Sequence, residues 1–63
     1  MDNKKFVLTS SENEKNKLIK IGYSIIKKIG MVYIFENMKL PKEELLKNDI
    51  DIKKLLFTDS FFT

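Results

Sequence analysis

The side chains that could perform chemistry in this 63-residue chain are carboxylates, lysines and tyrosines, because the sequence contains neither histidine nor cysteine. Without those two residue types the chain lacks the commonest transition-metal ligands, the usual general base and a thiol nucleophile. The adjacent acids Glu43 and Glu44 would point to different sides of a helix, which suits solvation better than shared acid–base work. We therefore predict that the protein is not an enzyme.

Carboxylates could also bind a hard cation, since Asp49 and Asp51 alternate along the chain and Asp59 follows them. A glycine-containing calcium loop does not accompany them, so we expect these aspartates at turns and strand edges. Gly22 and Gly30 are the only glycines, which excludes the glycine-rich loops that cradle phosphates. The sequence predicts no metal site and no cofactor.

Lysine is the remaining charged group, and the net charge of +3 arises from twelve lysines against nine acids, without one arginine. Lysines beside an exposed aromatic sheet could contact phosphates while tyrosines stack on bases. Arginine, however, is the residue that grips phosphate with a bidentate fork, and lysines at turns and outer strands also prevent aggregation. A nucleic-acid-binding regulator is the alternative function, with candidate contacts at Lys27, Lys28, Lys53 and Lys54.

Length and composition predict one folded domain spanning residues 1–63. Hydrophobic residues make up 43% of the chain, a fraction typical of globular proteins. A domain of this size buries only about 60% of its unfolded surface, so we expect a thin stability margin. The longest apolar runs are too short for a membrane span, and no secretory leader is recognisable at the start, which favours the cytoplasm.

The first element that would position these side chains is K-K-F-V-L-T at residues 4–9, which suits a short strand. Side chains in a strand alternate between its two faces. Phe6 and Leu8 are therefore expected on one face, and Val7 on the other.

A helix should follow, because Ser11 and Glu14 have the capping-box spacing in which each side chain satisfies the other's free backbone amide. The same spacing occurs two residues earlier, so the first helical residue stays open by two positions. Leu18 belongs to a narrow apolar stripe that would lie on a sheet. Gly22 supplies the left-handed conformation that ends such a helix, with Tyr23 packing back on Leu18.

Two further strands are predicted around a tight connection at Gly30. We expect a three-residue loop of Lys28, Ile29 and Gly30, which would place Ile26 opposite Val32. One face of this hairpin would then be small and aliphatic and would receive the helix: Ser24, Ile26, Val32 and Ile34. The other would be bulky and aromatic: Tyr23, Ile25, Met31, Tyr33 and Phe35. A slip of one residue would exchange the two faces.

The last third of the chain contains a short helix that starts at Pro41, with acids in its first turn. It ends on a cluster of apolar residues, among them Leu55, Leu56, Phe57, Phe61 and Phe62. The predicted fold is α+β: a small β-α-β-β sheet with one packed helix, then a short second helix and a C-terminal strand or extended tail.

The apolar run M-V-Y-I-F requires cover on both faces of the third strand. Part of this cover should come from the C-terminal segment, with Leu45, Leu46, Leu55 and Phe57 against the aromatic face. We expect the remainder to be a protein contact surface, shared across a homodimer axis. The predicted interface residues are Ile25, Met31, Tyr33, Phe35, Phe57, Phe61 and Phe62.

The order K-F-V-L-T-S, then a capped helix ending L-x-x-x-G-Y, then a hairpin ending V-Y-I-F-E-N covers residues 4–37. This order resembles small β-α-β-β proteins encoded by phages and mobile elements of AT-rich Firmicutes. The resemblance implies no activity. It implies a protein that binds a host protein in the bacterial cytoplasm and inhibits or redirects it, antiviral defence components included. A small virion structural protein is a further alternative.

Overall fold

The computed structural model describes residues 4–60 and contains four strands and two α-helices in one antiparallel α+β unit. The sheet order is β2-β3-β1-β4, so the predicted fold class is confirmed and the C-terminal segment is a strand that pairs with β1. The elements are β1 (Phe6–Thr9), α1 (Glu12–Lys20), β2 (Ile25–Ile29), β3 (Val32–Glu36), α2 (Lys42–Lys47), a 3₁₀ turn (Ile52–Lys54) and β4 (Leu56–Thr58).

The start of α1 follows the predicted cap at Ser11, but only half of the capping box forms. The Glu14 amide donates to Ser11 Oγ at 3.4 Å, as expected. The Glu14 carboxylate accepts from the Ser11 hydroxyl instead of the Ser11 amide, which donates to Thr9 Oγ1 at 3.1 Å. The threonine at the end of β1 therefore anchors the entry into the helix.

The end of α1 is the predicted Schellman motif. Gly22 has φ +108°, the Tyr23 amide donates to the Leu18 carbonyl at 3.0 Å, and both of these side chains are buried in one cluster. The same motif closes α2 without a glycine. There Asp49 adopts φ +65°, and the Ile50 amide donates to the Leu45 carbonyl at 3.1 Å.

The β2–β3 hairpin differs from the expected register. Ile29 pairs with Val32, which leaves a two-residue loop of Gly30 and Met31, with Gly30 at φ +58°. A glycine with positive φ at the first loop position is sufficient for a two-residue turn of this kind. The prediction of a three-residue loop is therefore wrong. A β-bulge at Ile26 then shifts the pairing between Ile25 and Lys27.

The two faces of the sheet are also exchanged relative to the prediction. The face with Tyr33 and Phe35, not the aliphatic face, receives the helices. β1 and β2 run parallel with β3 between them, so β1-α1-β2 is a crossover unit, and such units are right-handed in nearly all proteins. This handedness constrains which face α1 covers, whatever the size of the side chains there.

A single apolar core fills the space between this helix face and the two helices. Phe35 is fully buried at its centre and meets Tyr23 edge-to-face, with ring centroids 6.3 Å apart. The C-terminal segment supplies much of the cover, as expected, although Leu46 stays 53% exposed. The buried members are Val7, Leu18, Tyr23, Phe35, Leu45 and Ile50, with Tyr33, Leu55 and Phe57 packed against them.

Candidate functional site

The sheet face opposite the helices is apolar, and we call it the open face. Along each strand its residues alternate with those of the core. Their side chains therefore project from the side of the sheet opposite the helices. Ile34 at its centre is only 1% exposed, whereas Ile26 and Leu56 on the two outer strands are 50% and 59% exposed. The open face comprises Phe6, Leu8, Ile26, Ile29, Val32, Ile34 and Leu56.

The bulge at Ile26 determines how this side chain is presented. A bulge adds one residue to an outer strand and increases its local twist. Ile26 thereby lines a shallow depression at the end of the open face, with a volume of about 280 Å³. The other residues around the depression are Lys5, Phe6, Glu36, Asn37 and Lys39.

Asn37 holds the backbone that forms the rim of this depression. Its Nδ2 donates to the Lys4 carbonyl at 2.8 Å, and its Oδ1 accepts from the Lys39 amide at 2.8 Å. Lys39 has φ +58°, a conformation that this side-chain bond helps to hold. The Asn37 amide also donates to the Lys5 carbonyl at 2.9 Å, and the residue is 7% exposed.

The open face also carries charged side chains. Lys27 pairs with Ile34 and Glu36 pairs with Phe6, so one cation and one anion project from the strands on this side, and both residues are exposed. Lys5 and Lys39 line the depression and add two further cations. The positive charges around the open face therefore outnumber the negative ones.

The predicted interface residues do not form one surface. Phe35 is 0% exposed and is a core residue, because the crossover turned the aromatic face toward the helices. Phe57 is half-buried against the same core, and Ile25 lies on the helix face opposite Phe35. Met31 is 78% exposed at the hairpin tip, and Phe61 and Phe62 lie outside the described residues.

Tyr33 is part of a polar cluster at the edge of the helix face. Its hydroxyl donates to Glu12 Oε1 at 2.6 Å, and Lys15 Nζ lies 2.7 Å from Glu12 Oε2. The ammonium groups of Lys15 and Lys28 lie 5.2 and 5.1 Å from the centroid of the tyrosine ring. Two lysines of the same chain therefore already contact the ring that was predicted to meet a partner.

The ionisation of this cluster follows from its hydrogen bonds. The Lys15 ammonium and the Tyr33 hydroxyl, in that order, lower the pKa of Glu12. The bond to Glu12 and, to a smaller extent, burial raise the pKa of Tyr33, and the same carboxylate raises the pKa of Lys15. All three groups keep their ordinary charge states at neutral pH, an arrangement that stabilises the surface and offers no free acid or base.

The four lysines considered for nucleic acid lie in three places. Lys27 projects from the open face, whereas Lys28 lies over Tyr33 on the other side. Lys53 and Lys54 belong to the 3₁₀ turn before β4, which is the opposite outer strand. Outer strands of a four-stranded sheet are about 14 Å apart, so the lysine pairs do not converge on one phosphate track.

The aspartates have structural partners. Asp51 Oδ1 accepts from the Lys53 amide at 3.1 Å and caps the 3₁₀ turn, and Asp59 Oδ1 accepts from the Lys5 amide at 3.1 Å. The expected positions at turns and strand edges are confirmed for these two residues. Between residues 4 and 60, no three acidic side chains come together in a way that could hold a metal ion.

Among the carboxylates of residues 4–60, Glu14 alone is buried, with 3% of its surface exposed. It accepts from the Ser11 hydroxyl, and its Oε2 accepts from the Asp51 amide at 3.3 Å. The Ser11 bond lowers its pKa most, the Asp51 amide and the Lys54 and Lys17 charges add to this, and burial opposes them. The residue joins the start of α1 to the C-terminal segment, a long-range role that the capping pattern alone did not reveal.

Comparison of the chain with protein-family models, with curated proteins and with solved structures finds no match. In the part of the chain that the structure describes, neither helix is long and apolar enough to cross a membrane.

The open face is therefore the main guide to function. The sequence analysis predicted that the helix would cover this face. An indication of a second apolar face was nevertheless present in the sequence, because Phe6 and Leu8 alternate with the core residue Val7.

Proposed function

We propose that this chain is a non-enzymatic protein-binding module and that the open face is its contact surface. The observation that carries the proposal is the exposure of Ile26 and Leu56, at 50% and 59%, on a sheet face that is mostly apolar. A sheet that packs helices on one face and carries aliphatic residues on the other is typical of a surface that binds protein.

The size of the energetic gain supports this reading. Complete burial of a leucine or isoleucine side chain is worth about 1.5–3 kcal/mol, so covering the exposed halves of Ile26 and Leu56 would contribute about 1 kcal/mol each. Half-buried Phe6, Leu8 and Val32 would add smaller amounts. This sum suits a specific but weak contact, because association also costs translational and side-chain entropy.

The apolar side chains at the exposed positions Ile26 and Leu56 favour an apolar protein surface as the partner. The likeness to phage-encoded proteins favours a setting in a bacterial host, where the bound protein would be inhibited or redirected. A structural role in a virion would use the same face. In each setting the partner is a protein, and the open face is the part of the chain that contacts it.

Photo-crosslinking tests this proposal directly. A benzophenone amino acid is placed at position 26, 56 or 46 of the full chain, and the cells that express it are irradiated. Leu46 is the matched control, since it is 53% exposed but lies on α2. Protein adducts should form from positions 26 and 56 and be several-fold weaker from position 46. Equal adducts from all three positions, or none, would exclude the open face as the contact surface.

A further inference from the structure

We infer that two copies of this chain pair along the outer edge of β4, so that their sheets join into one continuous antiparallel sheet about a two-fold axis. This edge is a contact surface separate from the open face, and its use goes beyond the proposed function. Three observations support the pairing: the contrast between the two outer strands, the direction of the backbone groups of β4, and the charges at the two ends of β4.

The two outer strands differ in their protection against pairing. On β2, Lys27 and Lys28 are adjacent, and the bulge at Ile26 interrupts the regular hydrogen-bonding pattern. Lysines and bulges on an edge strand are devices that prevent edge-to-edge pairing of sheets. On β4, the residues Leu56–Thr58 carry no charge, and their register with β1 runs without a shift. Within residues 4–60 no other strand pairs with the outer edge of β4, so this edge remains open to pairing.

The backbone of Phe57 presents both of its hydrogen-bonding groups to this edge. The Asn37 amide donates to the carbonyl of Lys5, which continues the register of β1 and β3 by one residue. Residues of an antiparallel strand bond to their two neighbouring strands alternately, so the backbone groups of Phe6 face β4. Its partner Thr58 therefore bonds to β1, and the amide and carbonyl of the adjacent Phe57 are directed outward.

The outer edge of β4 is complementary to itself. In a two-fold antiparallel pair centred on Phe57, the Phe57 amide of each copy donates to the Phe57 carbonyl of the other. The same alternation directs the Leu55 carbonyl and the Asp59 amide outward, and the axis brings these two groups of opposite copies together. The pair is therefore joined by hydrogen bonds at its centre and at both ends.

The charges at the two ends of β4 favour a second copy as the occupant. Lys53 and Lys54 precede the strand and Asp59 follows it, and all three residues are exposed. Because the two copies run in opposite directions, the lysines of each chain lie at the end where Asp59 of the other chain lies. Asp59 Oδ2 has Lys4 Nζ at 3.5 Å, but its side chain stays 57% exposed and can contact a further cation. Opposite charges therefore meet at both ends of the contact.

The length of β4 predicts a weak dimer. Three residues of about 3.3 Å span about 10 Å, so the buried surface stays below the roughly 1,200 Å² at which stable complexes begin. The dimer should populate at roughly 100 μM or above and dissociate on dilution. Its axis is perpendicular to the sheet, so the two open faces lie side by side on one surface.

Amide hydrogen exchange, measured by NMR on the full chain at low and at millimolar concentration, tests the pairing. The Phe57 amide should exchange at least about threefold more slowly at the high concentration, because it is bonded only in the dimer. Lys28 is the matched control, since the same alternation directs its amide outward on β2, and its exchange rate should not change. The Leu56 amide bonds to β1 and should be protected at both concentrations.

The absence of cysteine from the chain permits a test of the register. Leu56 and Thr58 of opposite copies form a non-hydrogen-bonded pair with Cα atoms about 4.5 Å apart, which a disulfide can bridge. Two copies of residue 56 are diagonal neighbours about 7–8 Å apart, which is too far. Under mild oxidation, a mixture of Leu56→Cys and Thr58→Cys proteins should therefore link at least about fivefold faster than either protein alone. An Ile26→Cys protein should link with neither.

A lysine on β4 should act as the lysines on β2 do. Leu56→Lys should weaken the dimer at least about tenfold in light scattering, because the lysines of the two copies would be diagonal neighbours that repel each other. Ile26→Lys is the control, since Ile26 lies on the other outer strand and is similarly exposed, and it should leave the dimer unchanged.

Four results would overturn the inference. Rapid exchange of the Phe57 amide at every concentration would exclude the pairing, and slow exchange at every concentration would show that the same chain covers the edge. Faster linking of equal positions would exclude this register. Equal weakening of the dimer by Ile26→Lys and Leu56→Lys would place the contact on the open face. The proposed function fails separately, through the photo-crosslinking from position 26, which lies away from β4.

Discussion

Replacement of Glu14 by glutamine should destabilise the fold at neutral pH by about 1–2 kcal/mol. The carboxylate is 3% exposed and accepts two hydrogen bonds, from the Ser11 hydroxyl and from the Asp51 amide at 3.3 Å. Glutamine preserves the volume but offers one oxygen instead of two, so one of the donors loses its acceptor. In a domain of 63 residues, a loss of this size lowers the melting temperature by roughly 5–15 °C.

The effect should depend on pH in a defined direction. The hydrogen bond from Ser11 lowers the pKa of Glu14 below 4.5, its ordinary value in the unfolded chain. A carboxylate with a lowered folded pKa contributes its full stability above the unfolded value and loses it as pH falls through the folded one. The stability gap between wild type and Glu14→Gln should therefore be constant near pH 7 and close below pH 4.5.

Urea denaturation followed by circular dichroism at pH 7 and at pH 3 measures this gap. The lowered pKa of Glu12 also makes the wild type sensitive to acid, but it acts equally in both proteins and cancels in the comparison. Glu43→Gln, at an exposed position of α2, is the control and should change stability by less than about 0.5 kcal/mol. A Glu14→Gln protein as stable as wild type at pH 7, or a gap of equal size at pH 3, would refute the reasoning.

Three further predictions concern the turns, the core and the polar cluster. Asp49→Gly should stabilise the protein by about 0.5–1 kcal/mol in urea denaturation, because its φ of +65° suits glycine, and a destabilised variant would contradict this account. Phe35→Ala should cost about 3–5 kcal/mol and leave the chain largely unfolded by circular dichroism, whereas Ile26→Ala should change stability little. Glu12→Gln should lower the pKa of Tyr33 toward its ordinary value, and a spectrophotometric pH titration should show this shift for only one of the two tyrosines.

The helices and their ends could be predicted because residues next to each other in the sequence determine them. Ser11, Gly22 and Pro41 mark the ends of helices through their own backbone and side-chain properties, and each marks an end of α1 or α2 in the structure. The αL residue at Asp49 was missed, since aspartate seldom takes the place of glycine in this motif. The hairpin was placed correctly, but its register was not, because Gly30 can supply the positive φ of either a two-residue or a three-residue loop, and the bulge at Ile26 then shifts the pairing again.

The sequence by itself determined that this chain forms a small α+β domain with more apolar strand surface than one helix covers, because alternation and capping are properties of neighbouring residues. Only the tertiary structure decided which surface remains exposed. The β1-α1-β2 and β3-α2-β4 connections each join parallel strands, and the right-handedness usual for such connections directs both helices to the side of Phe35. They leave Ile26 and Leu56 on the other side, and no local pattern encodes that choice.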